Sequence, residues 1–331
     1  MRTRALLFPL LLAGGLSAQN IIETFPFPNG TLIPGWTQQN LTWKIQNQRL
    51  VPTGGRSFHY ITNDRIKDVK DCVLDVEVIY PTVQSLHAGG LCARHPGGSG
   101  ENGLVQLKLQ DNSGSGTGAY NTLWLYERPG SSVYTAVSPP TKRAVVRLFI
   151  KGNQAWAELD GDMDGIFELK SAVKTFSNAA TKSSGKVGIT GYNGAEMDNW
   201  KYYAGIVMAA SGSTPKIGTT YTMELFTPLN GGSTPIPTPW AAMLSLGNKG
   251  IPIPDGRAVP LSLDWLWVNS LGFGWGGVMT TQKPTARFGI AIPNDPVLVG
   301  IDLFAAAITL DGTKSFGIGA ISNDHHFQIT P

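Results

Sequence analysis

Apolar and polar residues alternate with a period of two along much of this chain. The pattern runs through "LTWKIQNQRLV" (41–51), "CVLDVEVIY" (72–80), "LVQLKLQ" (104–110), "NTLWLYE" (121–127), "AVVRLFI" (144–150), "AWAELD" (155–160) and "KVGITGY" (186–192). Side chains alternate across the two faces of a strand, so each run predicts a strand with one buried face. "KGNQ" (151–154) is a two-residue turn between two such runs and predicts a hairpin. Helical periodicity is weak throughout; "KSAVKTFSNAA" (170–180) is expected to make one or two helical turns.

The texture of the chain divides it. "AASGSTPK" (209–216) is small, polar and closed by proline, which predicts a linker. Residues 19–208 then form one module and residues 217–331 a second. The second holds only five Lys/Arg and seven Asp/Glu, with apolar clusters such as "LSLDWLWV" and "FGWGGVM". It too is expected to be all-β, a smaller sandwich. So few charges leave an apolar surface, which docking on the first module, on another protein or on a second copy would cover.

The first 18 residues predict a secretory signal peptide. Arg2 and Arg4 precede the apolar stretch Ala5–Leu12, and Leu16-Ser17-Ala18 ends in a small residue suited to cleavage. The stretch is too short to span a bilayer, and no later run reaches that length. The expected location is therefore extracellular or on the cell surface. The 331 residues carry a formal net charge of +3 with no Lys/Arg stripe, which argues against nucleic acid as a partner. Asn29-Gly-Thr and Asn40-Leu-Thr match the glycosylation sequon.

Export gives the two cysteines a meaning. If the runs containing Cys72 and Cys92 pair as a hairpin turning near Thr82, the two thiols face each other, and a disulfide is expected. The alternative is two buried free thiols.

"ELDGDMDGIFEL" (158–169) places Asp160, Asp162 and Asp164 at alternate positions before Gly165. With the Ile166 carbonyl and Glu168 these match the early ligand positions of a calcium loop. Ser171 stands where the closing bidentate glutamate belongs, and the flanks are strands, so this is no EF-hand. An acidic hairpin tip remains, holding calcium or screened by solvent.

The order of four stretches over residues 20–206 resembles the concanavalin A-like lectin/glucanase jelly roll in its laminin-G-like form. They are "FPFPNGTLIPGWTQQNLTWKIQNQRL", the pair "DCVLDVEVIYP" and "HAGGLCARH", "VVRLFIKGNQAWAELDGDMDGIFE", and "SGKVGITGYNGAEMDNWKYY". The second module looks, more loosely, like a short C-terminal β module of secreted bacterial proteins. The resemblance implies two curved antiparallel sheets and a concave face that in many members binds glycans. Other members are glycoside hydrolases, so fold alone leaves function open.

Glycoside hydrolysis needs two carboxylates about 5–9.5 Å apart. The glucanase members carry theirs as E-x-D-x-x-E on one strand, and no such run occurs here. Asp75 and Glu77 share a strand face and are the substitute candidates, although the apolar face of that strand lies opposite them. Glu196 and Asp198 are a second pair two apart. His325 and His326 are adjacent in a strand and point to opposite faces, so they cannot share a metal. Trp124 and Tyr126 share a face and form the candidate sugar platform, with Arg94 and, more weakly, Glu127 as polar partners. The leading expectation is a secreted, non-catalytic polysaccharide-binding protein. The alternatives are a glycoside hydrolase with another carboxylate pair and a structural or adhesive surface protein.

Overall fold

The computed structural model describes residues 21–331 except 32, 41, 54–57, 67, 82–85, 113–117, 204–206, 211–212, 227–237, 255–256, 281–284 and 313–316. The expected signal segment lies outside the described residues, as does Thr82.

The alternating runs become strands of two antiparallel sheets. The front sheet holds, in spatial order, Ser132–Thr141, Tyr120–Arg128, Leu104–Gln110, Ala88–His95, Lys186–Tyr192, His59–Asn63 and Trp36–Asn40. The back sheet runs Leu169–Lys170, Gln154–Asp160, Arg143–Lys151, Cys72–Ile79, Glu196–Tyr203, Arg49–Thr53 and Thr42–Gln46, with Ile21–Glu23 and Lys174–Thr175 as short additions. The inward side chains of both sheets form one core. Leu74, Val76 and Val78 of the back sheet join Leu107, Leu123 and Leu125 of the front, capped by Trp36, Trp43 and Trp200. This is an all-β sandwich.

Two expectations change. Residues 170–180 are not helical: short strands at Leu169–Lys170 and Lys174–Thr175 pair with Gln154–Asp160, and a 3-10 turn follows at Ala180–Lys182. Phe176 and Lys174 are buried in doing so, and burial overrides a weak helical propensity. Cys72 and Cys92 form no disulfide. The Cys72–Ile79 strand pairs with Arg143–Lys151 and Glu196–Tyr203, whereas Ala88–His95 pairs with Leu104–Gln110 in the other sheet. The chain therefore crosses between sheets where a hairpin was expected. Cys72 points into the inter-sheet core, and Cys92 lies on the outer side of the front sheet with Tyr60 and Leu104. Both strands are buried along their whole length, so their pattern carries no mark of which neighbour they pair with.

Residues beyond 206 build three smaller sheets. Val207–Ala210, Thr220–Phe226 and Thr285–Ala291 form one. Gly276–Met279, Thr238–Ser245, Asp302–Leu310 and Ile318–Ile321 form another, with His325–Gln328 also on Asp302–Leu310. Ile251–Pro252 and Ala258–Val259 make the third. Ala209 and Ala210, the first residues of the expected linker, pair with Glu224 and Met223. Among the described residues one α-helix appears, Trp265–Ser270, whose first turn is capped by the Asp264 carboxylate accepting from the Trp267 amide at 2.9 Å.

The outer face of the back sheet is covered by this second part of the chain. Val73, Phe149, Trp156 and Tyr203 pack with Val207, Ala209 and Phe226, and Phe149 stacks on Trp156 at 4.8 Å. Arg147 reaches across to Asp324 at 3.0 Å, Lys151 pairs with Glu224, and Asn323 bonds both backbone groups of Met208.

Candidate functional site

The front sheet leaves its outer face uncovered by the second module's clusters. Two rows of side chains cross it. In one, Tyr134, Trp124, Lys108, Gly90, Thr190 and Tyr60 stand in register on successive strands. In the other, Ser132, Tyr126, Gln106, Cys92, Gly188 and Thr62 do the same. The inward neighbours Leu123 and Leu125 anchor Trp124 and Tyr126 on this outer side. Gly188 belongs to the floor for a steric reason: a Cβ there would collide with the Ile61 carbonyl.

The result is an aromatic strip at one side of the sheet. Tyr134 is 57% exposed and stacks on the half-buried Trp124, centroids 4.8 Å apart and planes 27° from parallel. Tyr126 meets Trp124 edge-on at 5.6 Å, and the Arg128 guanidinium lies 4.6 Å above the Tyr126 ring. Among Trp36, Trp43, Trp124, Trp156 and Trp200, Trp124 alone is not buried.

Below the strip lies a buried polar floor. Gln106 donates to Thr190 at 2.8 Å, Tyr60 donates to Glu101 at 2.7 Å, and Arg128 donates to Glu101 at 3.0 Å. The Lys108 ammonium is packed between the rings of Trp124, at 3.5 Å, and Phe58, at 4.0 Å, and has no hydrogen-bond partner among the described residues. Burial, with the nearby Arg128 charge, pulls Lys108 down to about 7. The buried Trp124 indole N–H also lacks a partner among the described residues. Flat rings with a guanidinium beside them on one face suit stacking against a sugar ring and bonding its hydroxyls.

Tyr134 was not expected from the sequence. Its signal is the register of "SSVYTAV" against "NTLWLYE", a cross-strand relation that needs the hairpin to be known. Arg94, the expected polar partner, lies elsewhere. Its guanidinium is buried and donates to the carbonyls of Lys70, Thr181 and Gly152, beside Asp71. Arg94 has a φ of 52°, a break in the strand's alternation that turns it away from the strip. Glu127 points to the opposite face and is buried, accepting from the Ser177 and Asn178 amides and from Lys174.

Asp75 and Glu77 do face away from the sandwich core, but neither is a free acid or base. Asp75 is held bidentate by Arg147, at 2.8 and 2.9 Å, and accepts from the Tyr203 hydroxyl at 2.8 Å, beneath the second module. Glu77 accepts from Arg143 and from Asn199. Glu196 is paired with Arg49, and Asp198 caps the Asn199 amide. His325 bonds Tyr221 and His326 bonds Asp302, on opposite faces as expected.

The acidic tip closes the hairpin between Gln154–Asp160 and Leu169–Lys170. Carboxylate oxygens of Asp160, Asp162 and Glu168 lie within 4.8 Å of one another. Asp164 is turned to accept from the Ile166 amide, and the Ile166 side chain packs against the cluster that includes Val259 and Leu261. Asp160 accepts from the amides of Met163 and Gly165, at 2.7 and 3.0 Å. Burial nevertheless raises Asp160 to about 6, with Glu168 and Asp164 adding to the rise. Three hard oxygen donors gathered on one loop fit a calcium ion.

No family model matches the chain, and no curated protein matches it. Solved structures do. The carbohydrate-binding module CBM66 from Bacillus subtilis is 13% identical with a TM-score of 0.37, over 51% of this chain and 96% of that one. The exoplasmic/lumenal domain of VIP36, in a form bound to Ca2+ and Man3GlcNAc, is 11% identical with a TM-score of 0.36, over 51% and 84%. A non-specific endo-beta-1,3(4)-glucanase from family GH16 is 11% identical with a TM-score of 0.38, over 55% and 92%. Among the described residues no helix is long and apolar enough to cross a membrane.

Proposed function

We propose that the protein is an exported glycan-binding protein that does not cleave its ligand, and that the Tyr134–Trp124–Tyr126 strip is the platform. The observation that carries this reading is the stack of the exposed Tyr134 on the half-buried Trp124, beside Tyr126 and the Arg128 guanidinium. Sugar C–H faces stack on such rings, and the part-exposed Arg128 orients the hydroxyls. The engagement of Asp75 by Arg147 and Tyr203 removes the carboxylate pair that a hydrolytic reading had at hand. Residues 19–208 carry the platform, residues 217–331 brace the opposite sheet, and residues 1–18 direct export. Calcium at Asp160, Asp162 and Glu168 would stiffen the hairpin tip, on the side of the sandwich away from the platform strands.

The test is a glycan array with the purified protein, followed by titration of the hits. Trp124→Ala and Tyr134→Ala are each expected to cost about 1–3 kcal/mol of binding, with circular dichroism unchanged. Binding that survives both substitutions would move the site off this strip. New reducing ends in the bound polysaccharide would make the protein an enzyme.

A further inference from the structure

The second module carries exposed apolar side chains over residues 263–278 that no described residue covers. Leu263 and Trp265 are 69% and 66% exposed, and Val268, Leu271, Phe273 and Val278 are each more than half exposed. Trp265, Val268 and Leu271 recur at three-residue steps from the start of the Trp265–Ser270 helix and so share one side. The chain then passes through Phe273 directly into the strand Gly276–Met279. That strand ends its sheet. It pairs with Thr238–Ser245 on one side, and no described residue pairs with it on the other.

Among the described residues this edge shows none of the usual protection. Lys, Pro or an inward charge blunts most exposed edge strands. Residues 265–282 contain no Asp, Glu, Lys, Arg or Pro. The neighbouring carboxylate, Asp264, is turned inward, accepting from the Ser245 hydroxyl at 2.7 Å and the Leu246 amide at 2.8 Å. From full side-chain areas reaching roughly 150–250 Å² for the aromatics, these exposures present on the order of 600 Å² of apolar surface. That is at the upper limit of about 300–600 Å² for a monomer's largest patch. It approaches the roughly 800 Å² per partner that a stable complex buries.

We propose that this face is the interface of a homodimer. Gly276–Met279 pairs antiparallel with the same strand of a second copy across a two-fold axis, and the exposed helix side packs on its counterpart. Antiparallel pairing of identical strands is self-complementary and closes the assembly at two. A lipid surface would accept the side chains but would leave the edge amides and carbonyls unpaired in hydrocarbon. A second copy satisfies both. The absence of charge means that no like-charge repulsion opposes the self-contact. The inference is independent of the glycan platform, which lies on the first module; if both hold, each assembly carries two platforms and gains avidity.

Sedimentation velocity of the purified protein across the micromolar range tests this, with a dimer mass expected. Val278→Lys places two lysines near the pairing axis, and Val268→Lys does so in the helix contact. Both positions are solvent-exposed in one copy, so circular dichroism and melting should hold. Each is expected to weaken dimerisation by roughly 100-fold or more. A monomer at every concentration overturns the proposal, and so does a dimer that persists in both variants. Wild-type monomer that co-sediments with phosphatidylcholine vesicles, and ceases to in the variants, would assign the face to a lipid surface instead.

Discussion

Asp75 shows how one residue changes meaning with its surroundings. In the sequence it is a carboxylate two positions from another on a strand face. In the structure it is the acceptor of a buried ion pair whose other members are Arg147, Tyr203 and Asp324. Asp75 and Arg147 are both buried, so removing the acid leaves a guanidinium short of its main counter-charge in a water-poor site. Asp75→Ala is expected to cost about 3 kcal/mol, read from urea denaturation. Glycan binding by the folded variant should match the wild type, because the platform is on the other sheet. That the side chain faces away from the core was legible from the alternation of Leu74, Val76 and Val78. That Arg147 stands directly opposite it was not, because the pairing of Cys72–Ile79 with Arg143–Lys151 spans about seventy residues of chain.

At the scale of elements, the acidic hairpin makes the clearest prediction. Asp160 in the folded protein titrates at about 6, above the ordinary carboxylate value near 4. Its protonated form is therefore favoured by folding. That contribution is complete below about pH 4 and is lost as the pH rises through about 6. In chelator, the melting temperature is expected to fall over this interval, and Asp160→Asn should flatten the fall. Calcium binds the ionised carboxylates, so it should raise melting at pH 7 and have little effect at pH 4. An unchanged melting curve with calcium at pH 7 would leave a plain acidic turn. The tip's chemistry was visible in its spacing, and so were Asp160, Asp162 and Glu168 as its members; that Asp164 turns to the Ile166 amide was not. The Trp265–Ser270 helix escaped notice because "WLWV" is apolar at every position and has no period to read.

For the whole molecule, the contacts across the back sheet set the expectation. The Phe149–Trp156 stack is sealed by Phe226, and Arg147 and Lys151 bond across the same boundary. Exposing that surface would strand buried ionic groups, so the two parts should unfold together. Calorimetry is expected to show one transition, and Phe226→Ala should lower it as a whole. Two separated transitions would mean that the parts are energetically independent.

The alternation along the chain was sufficient for the all-β class, most strands and the face that Trp124 and Tyr126 share, because a period of two is a local property of a strand. Pairing is not local. Cys72 and Cys92 sit on equally buried strands, and which sheet each joins depends on partners far away in sequence; so the disulfide expected from symmetry gives way to thiols on different faces. Tyr134 joins the platform for the same reason, whereas Arg94 leaves it through a local break in its strand. A side chain's chemistry is written at its own position, but what it touches depends on how distant strands register, and register is set by the burial of the whole core.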